Sequence, residues 1–122
     1  MSVAAGRVES RLAVATRHLQ HDGLVHAAVQ TAVADHTAGA ATYTMLEAEQ
    51  IALTVSLNVS LLRPATCDEL RCRALVLRAG KRMVVAESEV FARTSSAPEL
   101  LVAKATVTLA VLLKAELPSG SR

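Results

Sequence analysis

Asp35 is the residue of this chain best placed to do chemistry. It lies in GLVHAAVQTAVADHTAGAATYTML, Gly23 to Leu46, inside an alanine-rich helical pattern. Aspartate is disfavoured there, because its short carboxylate competes with the backbone for hydrogen bonds, and it is seldom buried without a partner. At helical spacing Ala28, Ala32, Asp35 and Gly39 share one face, so the acid stands in a strip cleared of bulky side chains that can admit a ligand or another backbone. A carboxylate in such a strip can act as a general base on water or attack a carbonyl itself. A solvated face, with alanines present for helix propensity, accounts for the same pattern, and on the residues alone both readings stay open.

The elements around Asp35 follow from a change of periodicity. From Gln50 the helical pattern gives way to alternation: Ile51, Leu53, Val55, Leu57, Val59 and Leu61 point one way, and Thr54, Ser56, Asn58 and Ser60 the other. Arg63-Pro64-Ala65-Thr66-Cys67-Asp68 ends this strand, since proline has no amide to donate. A second strand is expected from Glu69 to Leu77. Ala79-Gly80-Lys81 then reads as a hairpin in which Gly80 supplies a positive φ. A third strand runs from Arg82 to Ala92, Thr94 to Pro98 forms a loop, and a last strand spans Leu100 to Leu113. Before the helix, Val8 to Thr16 alternates partly and reads as the first strand. Leu117 to Arg122 is a polar tail expected to fray. The order is strand, one helix of about eighteen residues, then four strands on short links, which makes an antiparallel sheet with the helix against it. The alanines and Gly39 are expected to let helix and sheet approach closely.

Composition limits what this single domain can be. In 122 residues, 52% are apolar, but they are mostly Ala, Val and Leu, with one Tyr and one Phe. The core must therefore be built from small and branched side chains, and a domain this size gains from burial in an oligomer. Charged or polar residues interrupt every apolar run well short of the roughly 20 residues a bilayer span needs, and the start MSVAAGR has no signal-like pattern, so a soluble cytoplasmic protein is expected. A formal charge of +2 with scattered cations and few aromatics argues against nucleic acid as a partner. Cys67 and Cys72, with four residues between them, fit neither a redox pair nor a zinc knuckle and read as reduced thiols. Of His18, His21, His26 and His36, two share no acid or cysteine at ligand spacing, and no metal is expected.

HDGLVHAAVQTAVADHTAGAA, followed by LTVSLNVSLLRPA, LVLRAGKRMVVAESEVFA and LVAKATVTLAVL, resembles the PaaI-like branch of the hotdog-fold acyl-CoA thioesterases. The likeness runs from Val8 to Leu113. It rests on Gly23, His26, an acid nine residues after it at Asp35, and Arg63-Pro64-Ala65, in the family's order and spacing. Gln20 stands where the family has Asn, and Ala27 and Ala28 where it has two glycines after the His. The resemblance implies an α+β hotdog fold, one long central helix wrapped by a five-stranded antiparallel sheet. It also implies hydrolysis of an acyl-CoA or aryl-CoA thioester without a cofactor.

Each residue then takes an expected role. Asp35 is the base or nucleophile. Ala27, at the helix start where amides lack intrahelical acceptors and the helix dipole is positive, is the oxyanion donor. An alanine there keeps the N–H but adds a methyl that glycine would lack. His26 has at most a positioning role, Gln20 orients the thioester oxygen or the attacking water, and Thr54 assists the acid. Coenzyme A carries phosphates, which Arg and Lys recognise. The best candidates are Arg78, Lys81 and Arg82 around Gly80, with Arg63 at the end of the preceding strand.

The family pairs the helix Asp of one protomer with the helix start of another, so a homodimer or homotetramer is expected. Apolar Leu75, Leu77, Met83 and Val85 on the far side of the sheet point the same way. The runner-up is a non-catalytic hotdog protein that binds acyl-CoA or a related ligand. A scaffolding oligomer is the third class.

Overall fold

The alternation that begins at Gln50 becomes four long antiparallel strands, and one helix lies across them in the computed structural model, which describes residues 2–117. The elements are β1 (Ser2–Ala4), β2 (Arg7–Ala13), α1 (Ala27–Tyr43), β3 (Gln50–Leu61), β4 (Glu69–Ala79), β5 (Met83–Thr94) and β6 (Ala97–Leu113). All neighbours are antiparallel in the order β1-β2-β4-β5-β6-β3. This is the expected hotdog arrangement with six strands rather than five; the extra one is the short β1, folded back on β2 at the Ala5-Gly6 turn. The expected tail from Leu117 onward lies outside the described residues except for Leu117 itself.

Small side chains set the helix-sheet distance. Ala34 and Ala38 of α1 are fully buried against Leu70, Cys72, Ala86, Val90, Val107 and Leu109 of the sheet, and Ala41 against Val8 and Ala74, with no aromatic among them. Gly39 does not share this role: it lies on the open side of the helix, where an added Cβ would meet nothing within 4 Å. Hydroxyls pin the helix where apolar packing is shallow. The Ser88 hydroxyl donates to the Ala34 carbonyl (2.7 Å), Thr37 donates to the Val33 carbonyl (2.7 Å), and Ser10 meets Thr37 (2.7 Å). These buried bonds hold the helical turn that carries Asp35, since a buried hydroxyl is stabilising only when paired.

Strand β3 departs from its expected alternation at one residue. Its register against β6 slips at Val55: Thr54 pairs with Leu109, and Ser56 with Thr108. The bulge inserts one residue and exchanges the faces beyond it. Ala52 and Thr54 therefore share the helix side with Leu57, Val59 and Leu61, whose partners Val107, Ala105 and Ala103 are buried, while Ile51, Leu53, Ser56, Asn58 and Ser60 face away. The expectation that Thr54 shares a face with Ser56, Asn58 and Ser60 is thereby corrected.

Two further local expectations change. The first strand ends at Ala13, because the Ala15 amide donates to His18 Nδ1 (2.8 Å) and starts a short 3-10 turn over Thr16–His18. Gly80 is not in the positive-φ region. It is required because a Cβ there would lie 2.9 Å from the Met83 carbonyl oxygen, the acceptor of its own amide.

β3 is an edge strand, and its apolar side chains are uncovered: Val55 is 57% exposed and Leu61 52%, with Leu53 and Leu57 also exposed, as is Leu62 just beyond its end. Long apolar edges recruit another strand. On the outer face of the sheet Leu75, Leu77 and Met83 are exposed as expected, next to an ion-pair network in which Arg73 bridges Glu9 (3.2 Å) and Glu99 (2.8 Å) and Lys104 contacts Glu87 (3.3 Å). Hydrogen bonding to Glu99 holds the Arg73 guanidinium more firmly protonated than usual. No helix among the described residues is long and apolar enough to cross a membrane.

Candidate active site

Asp35 sits midway along α1, partly buried, and the Thr54 hydroxyl donates to its Oδ1 at 2.8 Å. Because Thr54 precedes the bulge, it is the last hydroxyl of β3 on the helix side. Its bond fixes the carboxylate and leaves Oδ2 without a partner among the described residues. Beside Asp35, Ala28 and Ala32 are exposed and Gly39 is open, so the expected cleared strip exists and faces outward.

The helix start is built by a compact loop. Asp22 and Gly23 take positive φ (63° and 73°), which favours glycine at the second position. The Val25 amide donates to the Ala65 carbonyl (2.9 Å) and the His26 amide to the His18 carbonyl (3.0 Å). Through the first of these bonds the Arg63-Pro64-Ala65 segment is laid against the helix start. His26 is the N-cap residue, and its imidazole caps nothing; its carbonyl instead accepts from Val29 and Gln30. Ala27 opens the helix and is exposed.

Gln20, Ala27 and Arg63 meet around one cleft of about 300 Å³, walled by Leu24, Leu61, Leu62 and Pro64. The other expected residues are not gathered there. Asp35 is eight residues along the helix from Ala27, about 12 Å at 1.5 Å per residue, so one protomer does not bring its own carboxylate to its own oxyanion donor.

The four cations do not form one group within a protomer. Leu61, just before Arg63, pairs with Ala103, whereas the Arg82 carbonyl accepts from Val111. Those levels on β6 are roughly 26 Å apart at 3.3 Å per residue. Arg63 is also engaged, its Nη1 donating to the Leu101 carbonyl at 2.7 Å. Lys81 and Arg82 line a separate cleft with Gln50 and Glu116, and Arg78 is exposed nearby on β4.

Both cysteines are free, and burial pushes both thiols above their ordinary range. A protonated thiol is a poor nucleophile, which leaves Asp35 as the reactive candidate. Among the described residues no three His, Cys, Asp or Glu side chains gather as a metal site would need.

The pattern of the thioesterase superfamily matches residues 22–99, spanning the helix start, Asp35 and Thr54. The chain belongs to the thioesterase superfamily. This superfamily member is similar to a thioesterase family protein from Silicibacter pomeroyi, with a TM-score of 0.89 at 30% identity over 93% of this chain and 82% of that one. It is also similar to a phenylacetic acid degradation-related protein from Ralstonia eutropha (TM-score 0.80, 29% identity, 90% and 81% covered). A Bacillus halodurans protein crystallised with CoA gives 0.78 at 27% identity, covering 85% of this chain and 66% of that chain. No curated protein matches. Thioester hydrolysis is the activity to which the superfamily and these neighbours point.

Gln30 and Ser88 belong to the site's surroundings and were not among the expected residues. The signal for Gln30 was present: it lies four residues before Ala34, on the buried face, where a polar side chain needs a reason.

Proposed function

We propose that this single-domain chain hydrolyses an acyl-CoA or aryl-CoA thioester to the free acid and coenzyme A, with each active site shared between two protomers. The observation that carries the reading is the Thr54-held carboxylate of Asp35, fixed on a helix whose N-terminal amide lies about 12 Å away. Such a pair acts on one carbonyl only if a second copy supplies the missing half. The exposed β3 edge offers the means. Asp35 is level with Thr54, and the helix start is level with Leu61. Antiparallel pairing of two β3 edges about a two-fold axis near Leu57 and Asn58 sets Thr54 of each opposite Leu61 of the other, and carries Asp35 to the other helix start.

In that site the thioester carbonyl oxygen lies at the Ala27 amide. Asp35 either takes a proton from water, which attacks the carbonyl carbon, or attacks that carbon itself to give an anhydride that water then cleaves. The carbonyl oxygen becomes an oxyanion stabilised by the amide and the helix dipole, and its collapse expels the coenzyme A thiolate, which takes up the proton Asp35 removed from water or, on the anhydride route, the proton released when water cleaves the anhydride. Gln20 orients oxygen or water at the rim, and His26 places the Ala27 amide through its backbone. The neighbour crystallised with CoA supports a CoA thioester. The exposed methyls of Ala27 and Ala28 favour the second reading, a hotdog protein that binds acyl-CoA without turnover.

Thiol release from acetyl-, hexanoyl-, benzoyl- and phenylacetyl-CoA, run with light scattering, separates these readings. Hydrolysis of at least one thioester by a dimer or tetramer is expected. A thermal shift by coenzyme A with no hydrolysis supports the binding protein, and a monomer at micromolar concentration removes the shared site. Replacing Arg78, Lys81 and Arg82 together with Ala is expected to raise KM several-fold with little change in kcat, because contacts far from the carbonyl bind ground and transition states alike. An unchanged KM places the coenzyme A phosphates elsewhere.

A further inference from the structure

A residue outside the proposed chemistry closes part of the edge on which the shared site depends. Tyr43, the last residue of α1, is half exposed, and its hydroxyl accepts from the Ala52 amide (3.0 Å) and donates to the Ala52 carbonyl (3.2 Å). Those two groups point out of the sheet, because Ala52 stands opposite Val111 and the Val111 amide is given to the Arg82 carbonyl on the other side of β6. Two residues earlier the outward Gln50 amide is likewise taken, by the Glu47 carbonyl (3.0 Å). The start of β3 is thus blunted, whereas no such contact covers the outward groups of Thr54, Leu57, Val59 and Leu61 among the described residues.

A second β3 can pair only through free outward groups, since opposite residues of an antiparallel ladder exchange both bonds or neither. With the extra residue of the bulge taken up, Thr54 then faces Leu61, Leu57 faces Val59, and Asn58 meets its own copy on the two-fold axis. A slip toward Gln50 that centres the axis on Leu57 sets Ala52 opposite Leu61 and Thr54 opposite Val59. It makes one pair more, but it needs the groups that Tyr43 holds. It also carries the copies about 7 Å along each other, two residues of strand, which parts the carboxylate from the helix start. A slip the other way only loses pairs, because β3 ends at Leu61. Resting on the reading that two β3 edges build the shared site, we propose that Tyr43 is a positioning residue: by occupying Ala52 it excludes the longer register and holds the dimer in the one that completes the active site.

Single added cysteines report the register, because directly facing pairs lie within disulfide reach. On mild oxidation Asn58→Cys is expected to cross-link to its own copy in the otherwise wild-type dimer, and Leu57→Cys very little. The protein without an added cysteine is the control for Cys67 and Cys72. Tyr43→Phe removes the hydroxyl and keeps the ring, so the fold should persist, with circular dichroism as the check. Ala52 is then free, and cross-linking should pass from position 58 to position 57. With the longer register gaining a pair of backbone hydrogen bonds, kcat should fall about fivefold or more, at unchanged KM because the dimers still in register are wild type at the site. Adding Ala52→Pro to Tyr43→Phe closes the same edge by other means, since proline has no N–H and is tolerated on edge strands. Cross-linking should return to position 58, and kcat should recover.

If Tyr43→Phe leaves the cross-links and kcat unchanged, the proposal is overturned and the shared site stands. A fall in kcat with the cross-links unmoved also overturns it, since a local loss of structure explains that result, as does a shifted register that persists in a folded double variant. A wild-type protein that is monomeric by light scattering, or that cross-links at neither position, overturns β3 pairing itself and this inference with it. If the dimer hydrolyses nothing, the cross-links alone decide: passage from position 58 to position 57 supports the role of Tyr43 although catalysis fails, and no passage overturns it.

Discussion

Asp35→Asn is expected to lower turnover by at least about a hundredfold, the lower end of what a positioned base contributes, while leaving the fold and the oligomer intact. Asn keeps an acceptor for the Thr54 hydroxyl at the Oδ1 position and matches the shape of Asp, but it has neither basicity nor nucleophilicity. The helical turn is held independently by Ser88 on the Ala34 carbonyl and Thr37 on the Val33 carbonyl, so its position does not depend on the charge. Melting temperature and hydrolysis of one good thioester must be measured on the same preparation. A stable Asn variant with near wild-type turnover removes Asp35 from the chemistry, and an unfolded one returns it to a structural role.

The parts of this architecture that were legible in the residues are those written in local pattern. Helical spacing put Ala28, Ala32, Asp35 and Gly39 on one face, and that face is open. Alternation located β3 to β6, because side chains on a half-buried sheet must repeat every second residue. What pattern did not carry is geometry that depends on a single residue or on a distant strand. The bulge at Val55 leaves no mark in an unbroken alternation of apolar and polar residues, yet it turns Thr54 toward Asp35. The pairing of Val25 with Ala65, which lays Arg63-Pro64-Ala65 on the helix start, joins residues forty apart. The separation of Arg63 from the Gly80 hairpin follows from strand register, which hairpin signals in one chain do not fix. Gly39 in the sequence is equally consistent with a contact to the sheet, since a small residue looks the same whether it admits a strand or faces open space.

A mixture of two inactive variants should recover activity if the site is shared. Ala27→Pro removes the candidate oxyanion N–H at the first position of α1, where proline is tolerated because that amide has no intrahelical acceptor. His26 before it, at φ −56° and ψ 139°, already has the extended geometry a residue preceding proline needs. The fold should persist, and turnover should fall by about a hundredfold or more, as for loss of an oxyanion donor. Asp35→Asn carries the complementary lesion. In a mixed dimer, the Asp35 of the Ala27→Pro chain faces the intact Ala27 amide of the Asp35→Asn chain, so one of the two sites is wild type. With random exchange at equal concentrations half the dimers are mixed, and activity should return to about a quarter of wild type, as two-fold symmetry requires. Exchange is established by mild denaturation and refolding of the mixture, and each variant alone is carried through the same treatment. Were each site contained within one chain, no mixture would exceed its components. Failure to recover, in a preparation shown by mass spectrometry to contain mixed dimers, would return both halves of the chemistry to a single protomer, where about 12 Å of helix keeps them apart.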